Sequence, residues 1–395
     1  MSEENTLWKE GERKLRILAF PANEGGCSYY RIIMPINKLL EKHSDEIEVR
    51  FNQNPLEIDK ETGKPLENSK KEDLKWCDII FTQNISNFGP KYMLDVFKWC
   101  RENNKFIHYD TDDLLTNLYP GHRLEGVYKN QGLAQLTEIL YHNADLVSVT
   151  QEKFAKRVAK FCRGALCIMK DAIDYDLPCW NLPRIPAPKK VCRIGWVGGI
   201  HHEQDVKQIS KIALTVNSKV GPERVHWGFY GRPPMPPDTE PDWQQDVWDN
   251  YEKILTTGVK HRNFGVFPAA PSHLYGAMYR SIDISIAPLE YNDFNDSKSE
   301  IKVMECGRYG VPLVATNCGC YDEVVKNGVN GYLISKDNPV AEWTKVLTKL
   351  IKDRKYTTKL GADLKLITDE RFNINSHIGQ RLNLYKKLYH AKFQN

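Results

Sequence analysis

Short, dense apolar runs alternate along this chain with longer stretches whose apolar residues recur every three or four positions. The first run, Arg16–Pro21 (RILAFP), precedes a helical pattern over Tyr29–His43 that Pro35 must kink or restart. Ile47–Asn52, Cys77–Gln83, Lys105–Tyr109, Asp145–Thr150 and Ala165–Ile173 continue the series as predicted strands. Helices are predicted over Pro90–Glu102, Leu133–Asn143 and Gln151–Phe161. Asn54–Asp73 is polar and reads as a loop, and Gly121–Gly132 as a mobile loop. Such strand–helix alternation predicts a parallel, doubly wound sheet.

Leu177–Lys190 (LPCWNLPRIPAPKK) carries four prolines and reads as a linker. The alternation then restarts. Strands are predicted at Arg193–Val197, His226–Gly231, a short run ending at Val266–Phe267, Ile282–Leu289, Val311–Asn317 and Tyr332–Ile334. Helices are predicted at Val206–Val216, Trp243–Leu255, Ile301–Tyr309, Tyr321–Lys326, Val340–Lys352, Tyr356–Glu370 and Ser376–Phe393. Arg232–Asp242 is a proline-rich excursion, and burial against the domain is the expected fate of Trp243 and Trp248. The predicted fold class is α/β, with two Rossmann-like doubly wound parallel-sheet domains facing a cleft. The expected boundaries are 1–178 for the first domain, 179–190 for the linker and 191–375 for the second domain. No tandem repeat or low-complexity tract is present.

Composition changes this picture little. A chain of 395 residues with 41% hydrophobic and 27% charged residues is that of an ordinary globular protein with room for two domains. A formal charge of +4 permits an anionic partner without demanding one. The ten cysteines form no regular framework, and Cys318-Gly319-Cys320 is one residue too tight for a CxxC. They read as reduced thiols in a cytoplasmic protein. The amino-terminal MSEENTLWKEGERK lacks the apolar core of a signal peptide, and no apolar run approaches the roughly 20 residues that span a bilayer.

The candidate chemistry lies at carboxyl ends of predicted strands, where parallel sheets bind ligands. Asn292–Ser299 is a polar loop after the strand Ile282–Leu289, and Gly310-Val311-Pro312 ends the short helix behind it. Lys298, Ser299, Lys302 and Glu305 therefore sit at the mouth and along the first turns of that helix. Helix amides with two lysines suit a diphosphate, and a carboxylate further along can accept from ribose hydroxyls. Gly25 and Gly26 follow the first strand and either form a tight turn or let backbone approach a phosphate or sugar. Tyr30 and Arg31, on the next turn, are candidates for the acceptor side. Asp110-Thr111-Asp112-Asp113 follows the strand Lys105–Tyr109. It caps a helix and turn, or contacts acceptor or sugar through Asp112 and Asp113, or holds a metal. After Arg193–Val197 come Gly198, Gly199, His201, His202 and Asp205. One reading has a histidine donating to a phosphate oxygen beside the Gly199 amide; the other has His202 and Asp205 capping the helix.

Lys298, Lys302, Glu305, Gly310 and Pro312 together resemble the donor-binding segment of retaining GT-B glycosyltransferases, the class that includes sucrose and glycogen synthases. That class has two glutamates with seven residues between them; Glu305 matches the second and Ser297 occupies the first position. The resemblance thus implies a ribose contact for Glu305 and no specific contact to the sugar. The Gly199 loop is similar to a Gly-Trp-x-Gly loop with downstream His and Asp in some bacterial and phage glycosyltransferases. The arginine-and-lysine version of this loop is absent. The resemblance implies that Ser272, opening the segment before Ile282, lies near the nucleotide base, and that helix 376–393 returns to the first domain. It also implies retention of anomeric configuration and no required metal or other cofactor.

The expected function is therefore transfer of a sugar from a nucleotide-sugar to an acceptor hydroxyl. Lys302, His202, Asp112 and Asp113 are the expected catalytic residues. Gly25, Gly26, Gly199, His201, Lys298, Ser299, Glu305 and Ser272 are the expected donor contacts. The expected acceptor is a hydroxymethylated pyrimidine in phage DNA, the enzyme then acting in the host cytoplasm. Transfer to a surface polysaccharide or lipid-linked glycan, and sugar-nucleotide epimerisation, are the alternatives. A dehydrogenase is excluded because no predicted strand runs into GxGxxG with an acidic residue about 20 positions on.

Overall fold

The structure is a computed structural model and describes residues 7–57, 71–83, 89–232, 243–256, 263–337 and 339–393. Most of the Asn54–Asp73 loop and the Arg232–Asp242 excursion lie outside the described residues, as does the side chain of Trp243. The chain forms two compact units. One comprises residues 1–174, 297–299 and 373–395; the other comprises 175–296 and 300–372. The chain thus passes into the second unit at 175, and residues 179–190, expected as a linker, belong to that unit.

The first unit holds strands β1 (Leu15–Phe20), β2 (Ile47–Phe51), β3 (Ile79–Gln83), β4 (Phe106–Asp110), β5 (Leu146–Val149) and β6 (Ala165–Ile168). They form one parallel sheet in the order β2-β1-β3-β4-β5-β6. β3, β4 and β5 are buried along their whole length, which explains their mostly apolar sequences. The terminal helix Ile378–Phe393 is part of this unit. Its Tyr385 hydroxyl lies 2.8 Å from His108 Nδ1, while His108 Nε2 lies 2.8 Å from Ser148 Oγ. Burial holds the His108 ring well below its usual pKa, in the neutral form.

Pro35 marks the expected restart of the helix. One π-helical turn, Tyr29–Ile33, leads into the helix Met34–Lys42. Pro35 lies in the first turn of that helix, where a proline is accommodated. The expected loop Gly121–Gly132 contains the helix Glu125–Asn130. Positive φ at Gly121 and Gly132 turns the chain at each end, Glu125 accepts from the Gly121 amide at 2.9 Å, and Tyr128 is buried.

The second unit holds β7 (Cys192–Val197), β8 (Val225–Arg232), β9 (Phe264–Pro268), β10 (Ile284–Ala287), β11 (Leu313–Thr316) and β12 (Gly331–Ile334). The parallel sheet runs β12-β11-β10-β7-β8-β9. The chain builds outward from β7 to β9 and then returns beside β7 with β10, so the winding reverses between β7 and β10. In a doubly wound sheet the ligand crevice opens at the carboxyl ends of such a pair. Trp196, Trp227, Phe229, Trp248, Tyr251 and Trp343 dominate the core here, and Trp248 is buried as expected.

One close packing fixes the helix Ile301–Arg308. Its carboxyl end is a Schellman turn, with the Gly310 amide bonded to Gly307 O at 2.8 Å and the Val311 amide to Cys306 O at 3.0 Å. Gly310 takes φ +63°. A Cβ on Gly361 of the helix Arg354–Arg371 would collide with Gly310 O, so only glycine lets these segments meet.

Candidate functional site

The helix Ile301–Arg308 starts beyond the carboxyl end of β10 and carries Lys302 and Glu305 one turn apart. Lys302 Nζ lies 3.0 Å from Glu305 Oε2, and Tyr279 donates its hydroxyl to the same oxygen at 2.7 Å. Glu305 and Tyr279 are fully buried, whereas the Lys302 side chain keeps 20% of its surface. The ammonium also stands 5.4 Å from the centre of the Tyr275 ring. Burial opposes the charge on Lys302, but Glu305 outweighs it and holds the pKa above its ordinary value. The result is a fixed cation with an open face at the carboxyl edge of the sheet.

At the end of β7 the chain turns through Gly198 and Gly199 into the helix Glu203–Val220. Gly199 is exposed, and a Cβ there would meet nothing in the chain, so packing does not require its glycine. His202 Nδ1 lies 2.7 Å from Asp205 Oδ2. The other oxygen of Asp205 accepts from the Glu290 amide at 2.7 Å and from Asn295 Nδ2 at 3.0 Å. His202 makes no side-chain cap on its helix, so the capping reading fails. The buried Asp205 instead ties the β7 loop to the loop after β10 and orients the imidazole. Sequence reasoning missed Glu290 and Asn295, because neither belongs to a local pattern with Asp205. It also missed Tyr279, a buried aromatic on the single-face pattern of an ordinary core residue.

Residues 192–353 match the family described as glycosyl transferases group 1. The match lies in the unit that carries Lys302, Glu305 and His202, and it supports a nucleotide-sugar-dependent glycosyltransferase as the class of enzyme. A comparison with curated proteins gives no match. Among solved structures, sucrose-phosphate synthase from Thermosynechococcus elongatus is similar with a TM-score of 0.69 at 12% identity, covering 96% of this chain and 100% of that one. HepE from Anabaena, solved in complex with UDP and glucose, aligns with a TM-score of 0.62 at 15% identity over 94% of this chain and 98% of its own. A glycosyltransferase from Rickettsia africae gives 0.62 at 15% identity over 95% and 99%. At these identities the likeness concerns the fold, which is GT-B, as the resemblance implied.

In the first unit, β1 ends into the exposed stretch Asn23–Cys27. The Gly25 amide donates to Asn23 Oδ1 at 2.7 Å and is therefore not offered to a phosphate, a correction to the expectation for that residue. Gly26 is open, with nothing within 4 Å of a built Cβ. Arg31 does not face outward. Its guanidinium is 2% exposed and donates to Asp110 at 2.8 and 2.7 Å, to Asp171 at 2.9 Å and to Met169 O at 2.7 Å. Tyr30 is buried as well. The acceptor-binding expectation for Tyr30 and Arg31 is therefore withdrawn: Arg31 neutralises two buried carboxylates, one of them Asp110.

Asp112 and Asp113 remain near the surface after β4. Burial, then the charge of Asp113, pushes the Asp112 carboxyl up to about 7. Lys298, grouped with this unit by its contacts, has Nζ 3.4 Å from Asp113 Oδ1. Cys27, Asp112 and Asp113 bring a thiol and two carboxylates within 4.8 Å of one another, the kind of group able to take a cation. Against that, the charge of Asp112, with Asp113 behind it, raises the Cys27 pKa well above its usual value, and thiols ligate metals as thiolates. Of the remaining expected donor contacts, His201 is exposed and Ser272 and Ser299 are half-buried.

Proposed function

We propose that this chain moves a sugar from a nucleoside diphosphate sugar to an acceptor hydroxyl, with the diphosphate bound at the carboxyl edge of the second sheet. The observation that carries the reading is Lys302, a cation anchored by buried Glu305 where the winding of the sheet reverses. As the bond between the anomeric carbon and the diphosphate oxygen breaks, negative charge grows on the leaving group. A preoriented ammonium stabilises that charge more than it stabilises the bound donor, which is what lowers a barrier. His202, held by Asp205, and the Gly199 amide are proposed as further donors to phosphate oxygens. Glu305 then acts chiefly by positioning Lys302, in place of the ribose contact that the resemblance implies.

In the first unit, Asp112 is proposed to accept the proton of the attacking hydroxyl, with Asp113 orienting it. A carboxyl pushed up to about 7 is matched to that task near neutrality. Retention, independence from metal, and a hydroxymethylated pyrimidine in DNA as acceptor form the finer part of the proposal. A base acceptor in a duplex must be flipped out, and phosphate contacts would make its binding salt-sensitive.

A thermal-shift panel of UDP-, GDP-, ADP- and dTDP-sugars tests the donor, starting with UDP-glucose, the ligand of one HepE complex. Donor hydrolysis by the wild type that disappears in Lys302→Ala supports the reading, and unchanged turnover in that variant rejects it. Products formed from donor alone separate epimerisation from transfer. Absence of transfer to hydroxymethylated duplex with every donor rejects the DNA acceptor and moves the choice to a glycan.

A further inference from the structure

The amino edge of the second sheet, opposite the strand ends that carry Gly199 and the loop before Lys302, holds a pocket of about 290 Å³. Its floor is set by register. Arg193 lies in β7, and Asp283 stands immediately before the adjoining β10, where Ile194 pairs with Ile284. The Asp283 carboxylate accepts from Arg193 Nε at 3.2 Å and Nη2 at 3.1 Å and from Arg184 Nη2 at 3.3 Å, and Arg354 Nη2 is ion-paired with it at 3.2 Å. Three guanidinium groups thus share one carboxylate, and two positive charges are left in excess at the pocket wall.

Arg184 and Arg193 also tie the segment around Arg184 to the sheet, through Ile282 O and Ile185 O, while each further cation in the cluster adds repulsion. Burial lowers the pKa of Arg184, and Arg193 and Arg354 lower it further while Asp283 opposes them. The wall also includes Thr357 and Thr358 of the helix Arg354–Arg371, whose amino end is capped by the Asp353 carboxylate. Planar guanidinium forks match the geometry of phosphate oxygens.

We propose that this pocket binds a phosphate monoester, a dianion whose charge equals the local excess, at a site separate from the donor-binding edge. Such a group is carried by a free sugar phosphate or by the headgroup of phosphatidic acid. The inference does not depend on the proposed transfer reaction.

The test uses the full chain at constant ionic strength. Calorimetry and thermal shift are recorded with inorganic phosphate and with glucose 6-phosphate, on wild type, Lys302→Ala, Arg354→Gln and Arg184→Gln/Arg354→Gln. Saturable binding to wild type is expected, kept in Lys302→Ala and weakened at least about tenfold in the arginine variants, the scale of one lost charge-assisted hydrogen bond. The half-exposed Arg354 single variant keeps the test decisive if the double variant unfolds. Cosedimentation with phosphatidylcholine vesicles containing phosphatidic acid, but not with phosphatidylcholine alone, would assign the headgroup source; soluble binding without cosedimentation assigns the free phosphate. No saturable binding, equal binding by wild type and Arg354→Gln, or binding lost in Lys302→Ala and retained in Arg354→Gln overturns the proposal.

Discussion

Lys302 Nζ and Glu305 Oε2 lie 3.0 Å apart on one turn of a helix, with the carboxylate buried beneath and the ammonium partly open above. A buried carboxylate that also accepts from Tyr279 cannot swing away, so the cation is held where charge would develop. Lys302→Ala is expected to lower turnover by about 10²–10³-fold, the usual loss for one preoriented electrostatic donor. Glu305→Gln should give a smaller loss in turnover and release Lys302 from its fixed position. Single-turnover kinetics with saturating donor checks both.

Asp205 joins three groups from two loops, and its replacement should be felt beyond His202. Asp205→Ala leaves the Glu290 N–H without its acceptor, a cost of about 1–3 kcal/mol, and removes one of the two acceptors of the buried Asn295 amide. His202→Ala should leave stability close to wild type and weaken donor binding. Urea denaturation beside donor calorimetry separates the two outcomes; equal destabilisation by both variants would contradict this division.

The Asp112 carboxyl gives a pH dependence of defined sign. Its pKa is raised in the folded chain, so the folded state binds a proton that the unfolded state has already lost. The associated stability is fully present below about pH 4 and is lost as pH rises through about 7. Asp112→Asn should therefore melt higher than wild type above neutrality and match it near pH 4. A variant whose melting temperature tracks wild type at both ends would exclude the raised pKa.

Arg31→Met removes a cation that two buried carboxylates need. Asp110 and Asp171 would then remain buried without it, and a loss of about 3–5 kcal/mol in unfolding free energy is expected. Equilibrium denaturation measures it. A loss below about 1 kcal/mol, the range of an exposed ion pair, would mean that the network is not buried in solution.

Gly361→Ala should cost about 1–3 kcal/mol, because the added methyl must push the helix Arg354–Arg371 away from Gly310. Donor affinity should fall with it, since the same contact seats the helix bearing Lys302. Thermal melts with and without donor read both effects.

Legibility differed between the frame and the site. The strand pattern survived because the central parallel strands are buried on both faces and mostly apolar; IDISIAPL contains β10 and VPLVATN contains β11. Boundaries shifted by a few residues: the strand expected over Ala165–Ile173 ends at Ile168, and a π-helical step precedes Pro35. Lys302 and Glu305 were readable because three-residue spacing on a helix places them together without help from any other segment. Arg31 was misread because its partners Asp110 and Asp171 are far away in sequence, and an arginine on a first turn looks the same whether it faces water or a buried carboxylate pair.

The sequence by itself determined the alternation of buried strands and helices, hence two doubly wound sheets, and the short-range pair at the start of one helix. These follow from periodicity and spacing, which are local. Only the tertiary structure decided that Asp205 gathers His202, Glu290 and Asn295, that Arg31 is buried, and that three arginines converge on Asp283. Each of those depends on strand order and register bringing distant carboxylates and cations together, and burial then sets their charge and their partners.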